Sequence, residues 1–287
     1  MNVPGFHGEA PVATVKHAVL DFFKDDMMTY AAALAFRILL ALFPFIIFVL
    51  ALLGILGLAD FFDHLLSQAA MVLPADAYGL LAGSVKDIRT ESHGGLISVS
   101  ILLAIWAAAA GIRSLMNALN TAYDIKETRP VWKIYPLSIA YTIGLAVLIL
   151  IAAIATLIGP RLLEFLGGPE GAGGLGTTLW AWLRWPLAVL LVTITVALSY
   201  YFAPNVKQPF EIVTPGSVLA VLGWIVSSVL FSFYVSRFAN YSATYGSLGA
   251  VIVLLLYFFI TASILLLGAE LNAAIYHARF GPTQPKE

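Results

Sequence analysis

The sequence predicts an all-α membrane protein, and three observations carry that prediction. Hydrophobic residues make up 61% of the 287-residue chain and charged ones only 11%, against roughly 25% charged in a water-soluble domain. The apolar residues fall in long continuous runs, whereas barrel strands alternate in and out over about ten residues. Mean hydropathy is +0.93. These values exclude a soluble enzyme and a disordered chain. The absence of cysteine excludes a disulfide-stapled secreted domain, and a net charge of −1 does not suit a nucleic-acid binder.

A helix needs roughly 20 apolar residues to cross about 30 Å of hydrocarbon. Six stretches qualify: Tyr30–Leu58, Leu96–Leu115, Pro136–Ile158, Trp185–Phe202, Pro215–Val235 and Ser247–Tyr276. Residues 29–278 are therefore expected to form one six-helix transmembrane domain. Before it, residues 1–28 form an N-terminal segment. Val12, Val15, Val19, Phe22 and Phe23 recur there at helical spacing, which predicts a short amphipathic helix on the membrane surface. Residues 59–95 form the longest loop and read as two amphipathic surface helices broken at Pro74. Residues 167–176 hold six glycines and a proline, the composition of a flexible connection. Trp180, Trp182 and Trp185 precede span four, and Tyr200 and Tyr201 end it, as interfacial aromatic belts would. Pro215 suits a first helical turn. Residues 279–287 form a tail.

Orientation follows from Lys and Arg near the spans. One side collects nine: Lys16, Lys24, Arg113, Lys126, Arg129, Lys133, Lys207, Arg279 and Lys286. The other collects five: Lys86, Arg89, Arg161, Arg184 and Arg237. The bias puts both termini in the cytoplasm, as an even number of spans requires.

Charge inside hydrocarbon costs several kcal/mol and marks candidate sites. Arg37 lies about 10 Å into span one at 1.5 Å per residue. Arg113 and Glu270 lie toward the same, cytoplasmic side of spans two and six. Ala33 and Ala41 flank Arg37 at helical spacing, and small residues let a neighbouring helix approach closely. An Arg37–Glu270 contact is therefore expected, with Arg113 nearby. Asn117 and Asn120 follow Arg113 on its face, and Asn272 lies just past Glu270. Arg37, Arg113, Asn117, Asn120, Glu270 and Asn272 thus form the candidate substrate-binding set. A second candidate is the start of span six, where Tyr245, Gly246, Ser247 and Gly249 could present free N–H groups to an anion, or act as a gate. The five histidines are scattered, and no metal-ligand, nucleophile or phosphate-loop motif occurs. Asp60, Asp63 and His64 form one tight acid–histidine cluster, read as a solvated helix face. Hence no metal, cofactor or enzymatic activity is expected.

Several marks now line up. They are Ala-Leu-Ala-Phe36 and Leu-Phe-Pro44, Ala-Leu-Asn120, Arg-Trp-Pro186, Tyr-Tyr-Phe-Ala-Pro-Asn205, Thr-Pro-Gly216, Tyr-x-x-Thr-Tyr-Gly-Ser-Leu-Gly249 and Gly-Ala-Glu-Leu-Asn272. In this order the chain resembles the YihY/BrkB family of bacterial inner-membrane proteins over roughly residues 25–278. It departs from that family at Arg37, where members usually carry an aromatic. The resemblance implies six membrane helices with both ends cytoplasmic. An old ribonuclease name attached to the family does not fit these residues. Some relatives are linked to export of lipid A precursors and envelope lipids. The resulting expectation is a transporter or flippase-like mover of an anionic or amphipathic envelope solute, with membrane lipids as partners and no nucleic acid. The alternative is a structural or assembly partner in envelope biogenesis. Solute, direction, energy source and oligomeric state are not encoded in any recognisable motif.

Overall fold

The structure, a computed structural model, describes residues 10–55, 94–148, 175–211, 213–237, 241–283 and 285. The loop expected at 59–95, with Asp60, Asp63 and His64, lies outside the described residues, as does most of the glycine-rich 167–176 segment. The described chain folds into helices: α1 (Pro11–Lys24), α2 (Met27–Ile55), α3 (Gly94–Ala122), α4 (Val131–Leu148), α5 (Leu175–Phe202), α6 (Pro215–Arg237) and α7 (Tyr241–Phe280). Among the described residues the β structure is a single antiparallel bridge between Val206 and Pro285.

Among the described residues four helices are long and apolar enough to cross a membrane: Val131–Leu148, Trp182–Phe202, Pro215–Val235 and Val251–Phe280. In α2 the apolar stretch that qualifies as a helix of shorter length is Met27–Leu42. These spans bury few of their residues within the protein. Val226, Val229, Leu230 and Phe233 of α6 are all exposed, as lipid-facing helices require.

The chain divides into two compact units. The first contains residues 1–25, 116–223 and 265–287; the second contains 26–115 and 224–264.

In the first unit, α1 packs on α7 through Ala18, which meets Leu271 and Ile275, with Leu219 of α6 and Ala274 alongside. Its buried stripe is Thr14, Ala18 and Phe22, four residues apart and thus on one face. The sequence pattern reads Val12, Val15, Val19, Phe22 and Phe23 as the apolar residues of a surface helix; Phe22 turns into the protein, and Val12, Val15, Val19 and Phe23 stay outside. Small Ala18 lets the α1 backbone come close to α7, so it outcompetes the larger apolar residues for the contact.

The α6–α7 crossing is closely packed at Gly216 and Gly268. A Cβ added to Gly216 would lie 2.0 Å from the Gly268 carbonyl oxygen. One added to Gly268 would lie 2.5 Å from both the Gly216 carbonyl oxygen and the Tyr200 hydroxyl. Helix α6 begins here with a reciprocal cap. The Ser217 N–H donates to Thr214 Oγ1 at 3.1 Å, and the Thr214 N–H donates to Ser217 Oγ at 2.9 Å. Pro215 occupies the first helical position, where its missing N–H costs nothing.

Two helices begin earlier than the sequence suggested. Helix α5 starts at Leu175 and carries Pro186 inside it; the apolar run alone marks the span from Trp185. Helix α7 starts at Tyr241. Gly246, Ser247 and Gly249 therefore sit beyond its first turn, where N–H groups are already used within the helix. The residues expected to open span six thus lie inside α7 rather than at its first residue.

Replacing Gly216 or Gly268 by Ala is expected to lower stability by about 1–3 kcal/mol through overpacking, read as a lower melting temperature in detergent. Gly144, with nothing within 4 Å of an added Cβ, is the control: Gly144→Ala should leave stability unchanged or raise it by up to about 1 kcal/mol.

Candidate functional site

The polar residues of the first unit gather where α3 ends, α5 ends, α6 begins and α7 ends. Helix α3 stops at Ala122, and Asp124 turns the chain with a left-handed φ of 52°, a conformation Asp tolerates better than most residues. The segment that follows is fastened by Asn120. Its Oδ1 accepts the Asn205 backbone N–H at 2.7 Å, and its Nδ2 donates to Glu127 Oε2 at 2.8 Å. Glu127 is gripped by Arg129 through both Nε (2.8 Å) and Nη2 (2.6 Å). Arg129 Nη2 also donates to the Ala203 carbonyl at 3.0 Å. Asn205 Nδ2 donates to Thr128 Oγ1 at 2.7 Å. Side chains from the α3–α4 connection thus satisfy backbone groups at the end of α5, where helix carbonyls lack intrahelical partners. Burial pushes the Glu127 carboxyl up, but the Arg129 side-chain and backbone hydrogen bonds, the Asn120 bond and the Arg129 charge outweigh it. The net result lies below the ordinary glutamate value of 4.5.

Asn272 does the same work at the start of α6. Its Oδ1 accepts the Gly216 N–H at 2.9 Å, and its Nδ2 donates to Thr214 Oγ1 at 3.0 Å. The Tyr200 hydroxyl donates to the Leu265 carbonyl, so Tyr200 is buried rather than part of an interfacial belt. Trp182 and Trp185 are exposed, with the Arg184 guanidinium 5.4 Å from the Trp185 ring centre.

Beside these ties lies a small open pocket of about 70 Å³. Tyr200, Tyr201, Gln208, Glu211, Thr214, Asn272, Tyr276, Arg279 and Phe280 contribute to its wall. At its edge Arg279 faces Glu211 at 3.6 Å, both about 40% exposed, and the Arg279 guanidinium stands 4.7 Å from the Phe280 ring centre. The Gln208 side chain donates to the Tyr200 carbonyl at 2.6 Å, and the Tyr276 hydroxyl donates to the Lys207 carbonyl at 2.9 Å. The walls are thus fixed by internal bonds, while the rim carries a half-exposed cation. The sequence reading did not find this pocket. Its residues are spread over four segments, and the marks Tyr-Tyr-Phe-Ala-Pro-Asn205 and Thr-Pro-Gly216 were the available signal.

Of the six candidate residues, Asn117, Asn120, Glu270 and Asn272 lie in the first unit and Arg37 and Arg113 in the second. Asn120 and Asn272 hold helix ends. Asn117 is exposed. Glu270 is buried in the first unit. Arg37 and Arg113 belong to the second unit, so the pair drawn from depth joins residues of different units, each with its own surroundings. Arg37 is exposed, not sheltered, and its Nη1 donates to the Ala110 carbonyl of α3 at 3.1 Å. Arg113 lies over the Trp106 ring at 5.5 Å. Among the described residues no group of three His, Cys, Asp or Glu could hold a metal ion.

Fold and site together define an α-helical integral membrane protein. The chain matches the family model described as Virulence factor BrkB over residues 18–287, and it belongs to that family. A ribonuclease-like protein of Bacillus subtilis, YfkH, is 38% identical over 254 residues, covering 88% of this chain and 92% of that relative. A UPF0761 membrane protein of Nitrosospira multiformis is 24% identical over 94% of this chain and 62% of its own length. Another, of Photobacterium profundum, is 26% identical over 88% of this chain and 77% of its own. No solved structure matches the chain.

Asn120→Ala removes partners from Asn205 and Glu127 and should cost about 1–3 kcal/mol. The lowered Glu127 value fixes the pH dependence. Its stabilisation is present above the ordinary glutamate value and is lost as pH falls through the lowered one. Melting followed against pH should show that acid loss in the wild type, and a flatter profile in Glu127→Gln.

Proposed function

We propose that this protein binds an anionic amphiphile in the pocket at the ends of α5 and α7 and carries it across a bacterial inner membrane. The observation that supports this reading is the pocket itself. It joins aromatic walls of Tyr201, Tyr276 and Phe280 to a rim cation, Arg279, at the end of apolar helices. Aromatic walls suit the apolar part of such a molecule, and a guanidinium suits a phosphate or carboxylate head group. Glu211 holds Arg279 when the pocket is empty, and the exposure of both makes that pair weak and open to exchange with a ligand anion. In this reading α2 and α3 complete six spans, and the basic residues near the pocket, Lys207 and Arg279, support a cytoplasmic position for it and for both termini.

The test uses the full chain reconstituted in vesicles that carry a fluorescent anionic phospholipid. Exchange between leaflets should exceed that of protein-free vesicles, and Arg279→Gln should slow it roughly tenfold, the effect of losing one charge-assisted hydrogen bond. Exchange equal to that of empty vesicles overturns the lipid-moving reading in favour of an assembly role. Exchange untouched by Arg279→Gln overturns the assignment of this pocket.

A further inference from the structure

Glu270 is 2% exposed, and its Oε1 has no hydrogen-bond partner. A buried polar atom without a partner is rare in a native protein and asks for a cause. Its neighbours on α7 are committed elsewhere: Gly268 and Asn272 face α6, and Leu271 faces α1. The arginines nearest the helix ends of this unit are also engaged, Arg129 by Glu127 and Ala203 and Arg279 by Glu211.

The charged groups within electrostatic reach of Glu270 are Asp21, Lys24 and Asp25 at the end of α1 and Asp124 after α3. Tyr123 lies in the same surroundings. Helix α6 meets α7 through Gly216 and Ala220, which bring no charge. One ammonium thus stands among four carboxyl groups. Crowding is visible at the outer member of the set. Burial, opposed by Lys24 and reinforced by Asp124 and Asp21, holds the Asp25 carboxyl above its ordinary value of 3.8.

We propose that Glu270 is a proton-binding site, and that Asp21, Asp25 and Asp124 form the acidic relay through which it exchanges protons with water. A carboxylate cluster draws cations toward itself, and Oε1 is a free acceptor at its inner end. A proton needs one such oxygen, whereas a metal ion needs several ligands, and among the described residues no three-member group could supply them. Should the protein move an anionic solute, a proton on Glu270 is positioned to travel with that cycle; this last step alone rests on the function proposed above.

Infrared difference spectroscopy on the full-length protein in lipid, titrated from acid to alkaline pH, reads the site directly. The expected result is a carboxylic-acid C=O band that titrates and is lost in Glu270→Gln, with no effect of added Na⁺. Exchange of that band in heavy water should be slower in Asp25→Asn. Should Glu270→Gln not fold, wild-type protein grown on heavy-carbon glutamate decides: the band should shift with labelled glutamate and stay with labelled aspartate. A band unchanged in Glu270→Gln, one that follows aspartate labelling, or one removed by Na⁺ overturns the proposal, as does the absence of a titrating band. The readout is a carboxyl group and not lipid movement, so its failure and the failure of the transport reading are separate results.

Discussion

The contact of α6 with α7 at Gly216 and Gly268 is the constraint on which the first unit depends. Two backbones meet there with no side chain between them. Asn272, one turn along α7, then reaches the opening turn of α6 and bonds the Gly216 N–H. Close approach makes that bond possible, and the bond in turn fixes where α6 begins. The same register aligns Tyr200 of α5 with the Leu265 carbonyl. It also leaves Leu271 and Ile275 free to receive Ala18 of α1. Any bulk at the glycines would disturb all three neighbours at once.

A second regularity concerns helix ends. A helix near hydrocarbon cannot rely on water for its terminal N–H and C=O groups. Here side chains from other segments supply the partners: Asn120 for the Asn205 N–H, Arg129 for the Ala203 carbonyl, and Gln208 for the Tyr200 carbonyl. Hydroxyl groups inside the spans behave differently. Thr193, Thr195 and Ser199 of α5 each donate to the carbonyl four residues before. They thereby lose their polar character toward lipid without needing a neighbour. Thr193, Thr195 and Ser199 thus seal their own helix, whereas Asn120, Arg129 and Gln208 join helix ends.

Much of the fold was legible because hydrocarbon imposes length and composition on each helix. The stop at Phe202 and the start at Pro215 agree with the sequence reading to the residue, since Ala-Pro and Thr-Pro-Gly are local signals. The starts of α5 and α7 were not legible. Pro186 breaks helices in water, but a membrane helix can keep a proline inside it. The candidate site was legible in residue type and not in role. Asn120 and Asn272 stood out as amides within apolar sequence, yet whether an amide meets a ligand or a helix end depends on Gly216, Glu127 and Asn205, all distant in the chain. Arg37 was judged by depth and by the small residues Ala33 and Ala41 beside it, and neither says which way a long side chain leaves its helix. Glu270 was judged in the same terms. Its burial is real, and within its own unit the charged groups around it are Asp21, Lys24 and Asp25 of α1 and its end and Asp124 after α3.

The stretch after α7 has a consequence of its own. Thr283 Oγ1 donates to the Tyr123 carbonyl at 2.6 Å, and Pro285 pairs with Val206. The tail therefore works as a clasp, joining the turn after α3 to the one after α5. Topology is commonly mapped by cutting a gene behind a helix and attaching a reporter enzyme. A cut placed just behind Phe280 discards the clasp and leaves both turns unfastened, so the reporter would describe a loosened molecule. A reporter attached beyond Pro285 keeps the clasp closed and describes the intact one.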